Sequence, residues 1–301
     1  VIVKAPDWAT AVPMNFGGLD EEFSALERSR AVVLPVPYDF TTTYQGGTRS
    51  GPRAILTASQ NMELWDDELG ATYRAGIHTL PEVEPTAEGP EAMARRVERA
   101  TSWILEQGRL PVVLGGEHSI TAGTVAAARR KFPGVSVLQL DAHGDMRDRY
   151  LDSRFSHACV MRRVRELVPA ASVGIRSLSE EEASHLEAHP VPMWSTRQFR
   201  ALRGDGSAIL AALSDEVFVT FDLDALDPGI MPATGTPEPG GLDWYEAVDL
   251  LAAVAARKRI VGFDVVELAP LPGQVASDFL AARLTYRLIG LALQSAERAR
   301  T

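Results

Sequence analysis

Asp141, His143 and Asp145 stand at alternate positions directly after the apolar run 135–140. A short uninterrupted apolar run of this kind reads as a strand buried on both faces, the type found in parallel sheets. Three potential metal ligands therefore leave one strand end together. Asp222 and Asp224 repeat the two-residue spacing after the apolar run 217–221, and His118 stands just past 112–114. Three strand ends in a parallel sheet can share one carboxyl edge, where open α/β folds build their sites. That constraint shapes everything else in the chain.

Gathered there, four carboxylates would repel one another in a partly dry cleft, so a bound cation is the plainest reason for the set. Two divalent ions would balance the four aspartates, and a shared hydroxide would leave a single negative charge, suited to a cationic substrate. Oxygen-rich ligation with one imidazole per ion favours manganese(II) over zinc, and no cysteine lies in the clusters. Calcium fits less well, because it prefers oxygen ligands alone.

The balance of 30 Lys and Arg against 40 Asp and Glu gives a formal charge of −10, which argues against nucleic-acid and anionic-membrane partners. A single cysteine, Cys159, fits a reducing cytoplasm, and neither a signal-peptide pattern nor a long apolar run is present. The expectation is a cytoplasmic protein. Cys159 reads as a small packed thiol, not a nucleophile.

Strands are expected at 31–36, 111–114, 135–140, 171–175, 217–221 and 260–266. Helices are expected from about 52, then over 90–108, 119–131, 157–167, 180–189, 244–257 and 277–297. Such alternation signals a parallel sheet covered by helices on both faces. Residues 1–30 lack sustained periodicity and read as an arm on a single domain spanning 1–301. The glycines of the loop 38–51 read as loop geometry, since no phosphate-binding G-x-x-x-x-G-K pattern occurs.

The motifs G-G-E-H-S, D-A-H-G-D, S-H-A-C-V-M-R-R and F-D-L-D-A-L-D-P, with the continuation P-A-T-G-T-P-E-P-G-G-L, resemble the ureohydrolase family of arginases, agmatinases and their relatives. The resemblance runs from residue 35 to about 290, with the motifs in the family order. S-H-A-C-V-M-R-R and R-D-R-Y look most like the agmatinase branch. The implied fold is a three-layer α/β/α sandwich around an eight-stranded parallel sheet, and the implied assembly is a trimer or hexamer.

The resemblance further implies two manganese(II) ions, one held by His118, Asp141, Asp145 and Asp222, the other by Asp141, His143, Asp222 and Asp224. A hydroxide bridging them would attack a guanidinium carbon. Asp145 counts among the catalytic groups as well as the ligands. His157 is the expected proton donor to the departing amine, and Glu267 the carboxylate that orients the guanidinium. Asp227 would brace the ligand turn. His78, His185 and His189 read as surface or core residues, and Asp264 as a buried structural group.

Substrate choice rests on the position two residues after Asp145. Arginase-type members have an asparagine there that helps to hold the α-carboxylate, whereas this chain has Arg147. Agmatine, cleaved to putrescine and urea, is the expected substrate, with Asp148 and Asp152 available for an acidic rim. Arg147 would repel the ammonium if it pointed inward and could instead pair with an anionic tail such as that of guanidinobutyrate. Guanidinobutyrate, aminopropylagmatine, arginine, formimidoylglutamate and a non-catalytic guanidine-binding role are the alternatives.

Overall fold

The computed structural model describes residues 12–299, and the first eleven positions of the expected arm lie outside the described residues. Eight strands form one parallel sheet: β1 (Ala31–Val36), β2 (Ile77–Thr79), β3 (Leu110–Gly115), β4 (Ser136–Leu140), β5 (Ala170–Val173), β6 (Met193–Trp194), β7 (Glu216–Asp222) and β8 (Arg259–Val266). Their spatial order is β2-β1-β3-β8-β7-β4-β5-β6. The two edge strands, with three and two residues, were too short to leave a pattern in the sequence.

Alternate residues of each strand enter opposite layers, and both layers are dry. In β1, Ala31 and Val33 join the core cluster that also holds Val112 and Leu114, while Val32, Leu34 and Val36 join the one that holds Val113. β7 divides likewise, with Val217, Val219 and Phe221 on one side and Phe218 on the other. Burial on both faces explains why these strands read as continuous apolar runs. Helix Ala276–Arg298 packs on β8 and against helices Gly51–Ser59 and Trp244–Arg257. Helices Pro90–Glu106, Thr121–Lys131 and Val160–Leu167 pack side by side elsewhere in the fold. The result is the expected α/β sheet with surrounding helices.

Within the part of the arm that is described, Phe16 and Leu19 are buried in the main core, and Phe16 N–H donates to Thr79 Oγ1 at 2.9 Å. None of the described helices is long and apolar enough to cross a membrane.

The sheet order brings the chemistry together. β3, β8, β7 and β4 are consecutive neighbours, in register through Leu114↔Val265, Phe221↔Val265 and Leu140↔Phe221. His118, Glu267, Asp222 and Asp141 therefore emerge side by side, although up to 149 positions separate them along the chain.

Candidate metal centre

His118 reaches the site because the chain turns sharply after β3. A Cβ on Gly116 would stand 2.0 Å from the Tyr38 carbonyl oxygen, so only glycine fits that turn. His118 Nε2 then lies 2.9 Å from the Thr220 hydroxyl, which fixes the ring and aims Nδ1 at the aspartates. Asp141 Oδ2, Asp145 Oδ2 and Asp222 Oδ2 lie 3.2, 3.1 and 3.3 Å from that nitrogen. Nδ1 is buried and makes no well-formed hydrogen bond, which is how a ligand atom looks when its partner is an ion.

Three of the four aspartates have one oxygen committed to the backbone. Asp141 Oδ1 accepts from His143 N–H at 2.6 Å, Asp222 Oδ1 from Asp224 N–H at 2.9 Å, and Asp224 Oδ1 from Ala142 N–H at 3.0 Å. The other oxygens converge. Asp224 Oδ2 meets His143 Nδ1 at 2.9 Å. Two ligand groups result, His118–Asp141–Asp145 and Asp141–His143–Asp224, and Asp141 belongs to both. Asp222 lies against the first through His118. Asp145 adopts φ 53° and Glu267 φ 67°, left-handed values uncommon outside glycine and frequent where a site dictates the backbone.

The electrostatics suit divalent cations. Burial, then the charges of Asp145 and Asp224, pushes the Asp141 carboxyl up to about 7. Burial, then Asp224 and Asp141, raises Asp222 well above the carboxylate range. Burial opposes charge on His143, but Asp224 outweighs it and lifts the imidazole to about 11. His118 is likewise raised, its burial outweighed by Asp141, Asp145 and Asp222. Divalent ions on the converging oxygens would relieve this repulsion and take the place of the protons that the raised values favour.

Beside the cluster lies a cavity of about 250 Å³, lined by His143, Asp145, Asp222, Asp224, His157 and Glu267. Glu267 Oε1 accepts from His118 N–H at 2.7 Å, which ties the carboxylate to the ligand turn. Burial, then the nearby Glu117, raises its pKa well above the usual value, and a cationic head bound beside it would offset both effects by stabilising the carboxylate.

The sequence profile of the Arginase family matches residues 29–290. The chain belongs to the arginase family. It is a ureohydrolase, an enzyme hydrolysing a guanidino group. N(1)-aminopropylagmatine ureohydrolase of Synechocystis sp. is 38% identical over 298 residues, covering 96% of this chain and 97% of that protein. Agmatinase of Pyrococcus horikoshii is 32% identical over 271 residues, covering 86% and 91%. The crystal structure of agmatine ureohydrolase of Thermoplasma volcanium superposes with a TM-score of 0.83 at 32% identity, covering 92% of this chain and 94% of that one.

In this arginase-family enzyme the structure gathers His118, Asp141, His143, Asp145, Asp222, Asp224, His157, Glu267 and Arg147 around one cavity or its walls. Asp148 is the exception. It is exposed, pairs with Arg163 at 2.8 Å and Arg154 at 3.2 Å, and does not line the cavity. Arg147 faces in, its guanidinium 4.9 Å above the Tyr150 ring.

Several contributors carried no sequence signal of their own. Thr42, Thr43 and Gln45 reach the cavity from the glycine-bearing loop 38–51, and Ser177, Ser179, Glu182 and Thr236 join them. Arg176 was missed, although it donates to the carbonyls of Gly174, Asp224, Ala225, Glu238 and Pro239. Asp227 accepts from Gly229, Gly240 and Gly241 N–H, the bracing expected of it. Cys159 is buried, and burial pushes its thiol up to about 11, which agrees with a packed residue. Asp264 is fully buried and accepts from Thr121 and Thr124 hydroxyls.

Proposed function

We propose that this ureohydrolase cleaves a guanidine with an amine-bearing tail, of the agmatine type, using two manganese(II) ions held by His118, Asp141, Asp145 and Asp222 and by Asp141, His143, Asp222 and Asp224. One observation carries the reading: a two-group ligand cluster, an orienting carboxylate and a histidine line the same small cavity. When bound, the ions supply an acidified water as nucleophile and positive charge against the carboxylates.

The chain's own residues do the rest. Glu267, fixed by His118 N–H, pairs with the flat guanidinium and turns its carbon toward the cluster. His157, whose pKa is lowered chiefly by burial, is neutral at neutral pH and ready to take a proton and give it to the departing amine. Without that proton the amine leaves poorly. The products are urea and the amine left after the guanidine carbon departs.

The cavity walls can receive an amine tail, although Arg147 among them would oppose an ammonium placed close to it. Thr42, Thr43, Gln45, Ser177 and Thr236 offer oxygens that accept from ammonium groups. Arg147 occupies the position from which arginase-type members hold an α-carboxylate with asparagine. The sequence favours agmatine, which would yield putrescine. A second reading, N1-aminopropylagmatine yielding spermidine, is supported by the relative that is 38% identical over 96% of this chain. A homo-oligomer in the cytoplasm belongs to the same proposal.

Urea release by the manganese-loaded protein decides the matter. Agmatine, N1-aminopropylagmatine, arginine and guanidinobutyrate are compared by kcat/KM. Turnover confined to the first two is expected, whereas preference for arginine or guanidinobutyrate would overturn the amine-tail assignment. Light scattering reads the assembly state.

A further inference from the structure

His157 does not act alone in the fold. Glu117, in the G-G-E-H-S turn and fully buried, approaches the loop 38–51 from behind. Its Oε2 accepts from Thr41 N–H at 2.6 Å, and its Oε1 accepts from the Thr41 hydroxyl at 2.6 Å and from the Ser119 hydroxyl. Thr41 N–H can only donate, and the two hydroxyls stand where they donate to the carboxylate, which offsets part of the rise that burial imposes on its pKa. Thr41 Oγ1 in turn accepts from His157 backbone N–H at 3.0 Å and lies 3.3 Å from His157 Nδ1.

A hydroxyl has one proton to give. Thr41 gives its proton to Glu117, so its oxygen meets His157 Nδ1 only as an acceptor. Nδ1 must then carry the hydrogen. The second neighbour of that nitrogen, the Ser156 hydroxyl at 3.3 Å, can turn either way and does not set the choice. Nε2 lies on the cavity side, 3.4 Å from the Thr43 hydroxyl.

We propose that Glu117, acting through the Thr41 hydroxyl, is a positioning residue that locks His157 in the Nδ1–H tautomer and leaves Nε2 as the sole nitrogen that takes and gives the catalytic proton. The inference rests on the assignment of His157 as proton donor and deepens it. The proton balance is simple. Nε2 takes the proton shed by the attacking water and passes it to the departing nitrogen, and the ring returns to its neutral Nδ1–H form. A ring held the other way would present a filled nitrogen to the cavity and could not accept that proton.

Glu117→Gln tests the chain of bonds with little change of shape. The amide oxygen would accept Thr41 N–H, which leaves its NH₂ to donate to the Thr41 hydroxyl. That hydroxyl then turns its proton toward Nδ1. Thr41→Val removes the acceptor outright, and Thr41→Ser restores it. The tautomer is read by ¹⁵N NMR on ¹⁵N-histidine-labelled protein loaded with diamagnetic magnesium, with the His157 signals assigned from their loss in His157→Asn.

Wild type and Thr41→Ser should show a protonated Nδ1 and a bare Nε2, and both Glu117→Gln and Thr41→Val should shift toward Nε2–H. With manganese, kcat in the two altered proteins should fall about tenfold to a hundredfold with KM and metal content unchanged. A wild-type Nε2–H tautomer, or no shift in either variant, overturns the proposal, as does a shift with full kcat while His157→Asn is inactive. Full turnover by His157→Asn would sink the donor assignment itself, a result separate from the tautomer readout.

Discussion

His118 Nδ1 lies 3.2 Å from Asp141 Oδ2, although one residue follows β3 and the other follows β4, with β8 and β7 between them in the sheet. The contact exists because both strands end at one edge and both turns lean inward over the intervening pair. Asp141 also belongs to the His143–Asp224 group, so it is the hinge of the cluster.

Asp141→Ala should therefore empty both metal positions, and Asp222→Ala, which removes the neighbour of His118 and Asp224, should do the same. Atomic emission on dialysed protein is expected to fall from about two manganese per chain toward zero, with urea release lost. Two ions retained with full turnover would exclude Asp141 and Asp222 as shared ligands. Asp145→Ala, which touches one group only, should lose less metal.

The charge state of the cluster gives a pH dependence with a definite sign. Without bound ions Asp141 is pushed up to about 7 from an ordinary 3.8 by burial and its aspartate neighbours, and His143 up to about 11 from an ordinary 6.5, Asp224 outweighing its burial. Asp222 and His118 are raised too. Over the range between those values the folded chain holds more protons than the unfolded chain, so stability falls as pH rises. Asp224, lowered to about 2, has the opposite sign, but its window lies below pH 4. The Tm of chelator-treated protein should decline from pH 6 to pH 9. Bound manganese would replace those protons, so the Tm gain on loading should grow over the same range, with proton release measurable by calorimetry in buffers of different ionisation heat. A flat Tm without metal would mean the cluster is not protonated in this way.

Most of this cluster was legible because its ligands gather within a few residues of the ends of apolar runs, and a run buried on both faces is a strong strand signal. His118, Asp141 and Asp222 were placed at strand ends by that signal alone. The edge strands β2 and β6 left none, being too short for periodicity. Thr41 and Glu117 escaped for another reason. Their roles lie in hydrogen bonds that span 76 and 116 positions, and no local pattern encodes such contacts. Asp148 went to the wrong side because adjacent residues of this turn point apart: Arg147 lies over Tyr150 while Asp148 is captured by Arg163 and Arg154. Competition among several arginines for one carboxylate is decided in space.

Glu267 separates function from stability. Its carboxyl is buried, and burial with the nearby Glu117 raises its pKa, so the fold gains nothing from the charge. Glu267→Gln keeps an oxygen for His118 N–H and removes the partner of the guanidinium. The loss of charge-assisted hydrogen bonds should lower kcat/KM about tenfold to a hundredfold. Tm should hold or rise. Unchanged kinetics would remove Glu267 from substrate binding, and a large fall in Tm would point to a structural role.

Arg176 offers the last test, because it joins two loops that the ligands need. Its guanidinium donates to the carbonyls of Gly174, Asp224, Ala225, Glu238 and Pro239, at distances from 2.7 to 3.4 Å. One planar group with all its donors aimed at backbone oxygens fixes the turn after β7 against the loop that ends at Asp227's glycine cradle. Lysine cannot reproduce that fork, and methionine removes the donor to the Asp224, Glu238 and Pro239 carbonyls, while Gly174 and Ala225 keep the Thr196 hydroxyl and Leu242 N–H. Arg176→Met should weaken manganese binding about tenfold or more through a displaced Asp224, with Arg176→Lys intermediate. Metal titration monitored by calorimetry reads the affinity, and thermal unfolding at saturating manganese reads the remaining stability. If affinity is unchanged while Tm falls, Arg176 stabilises the loops without setting the ligand geometry. If both hold, the fork of hydrogen bonds has no energetic weight at the site.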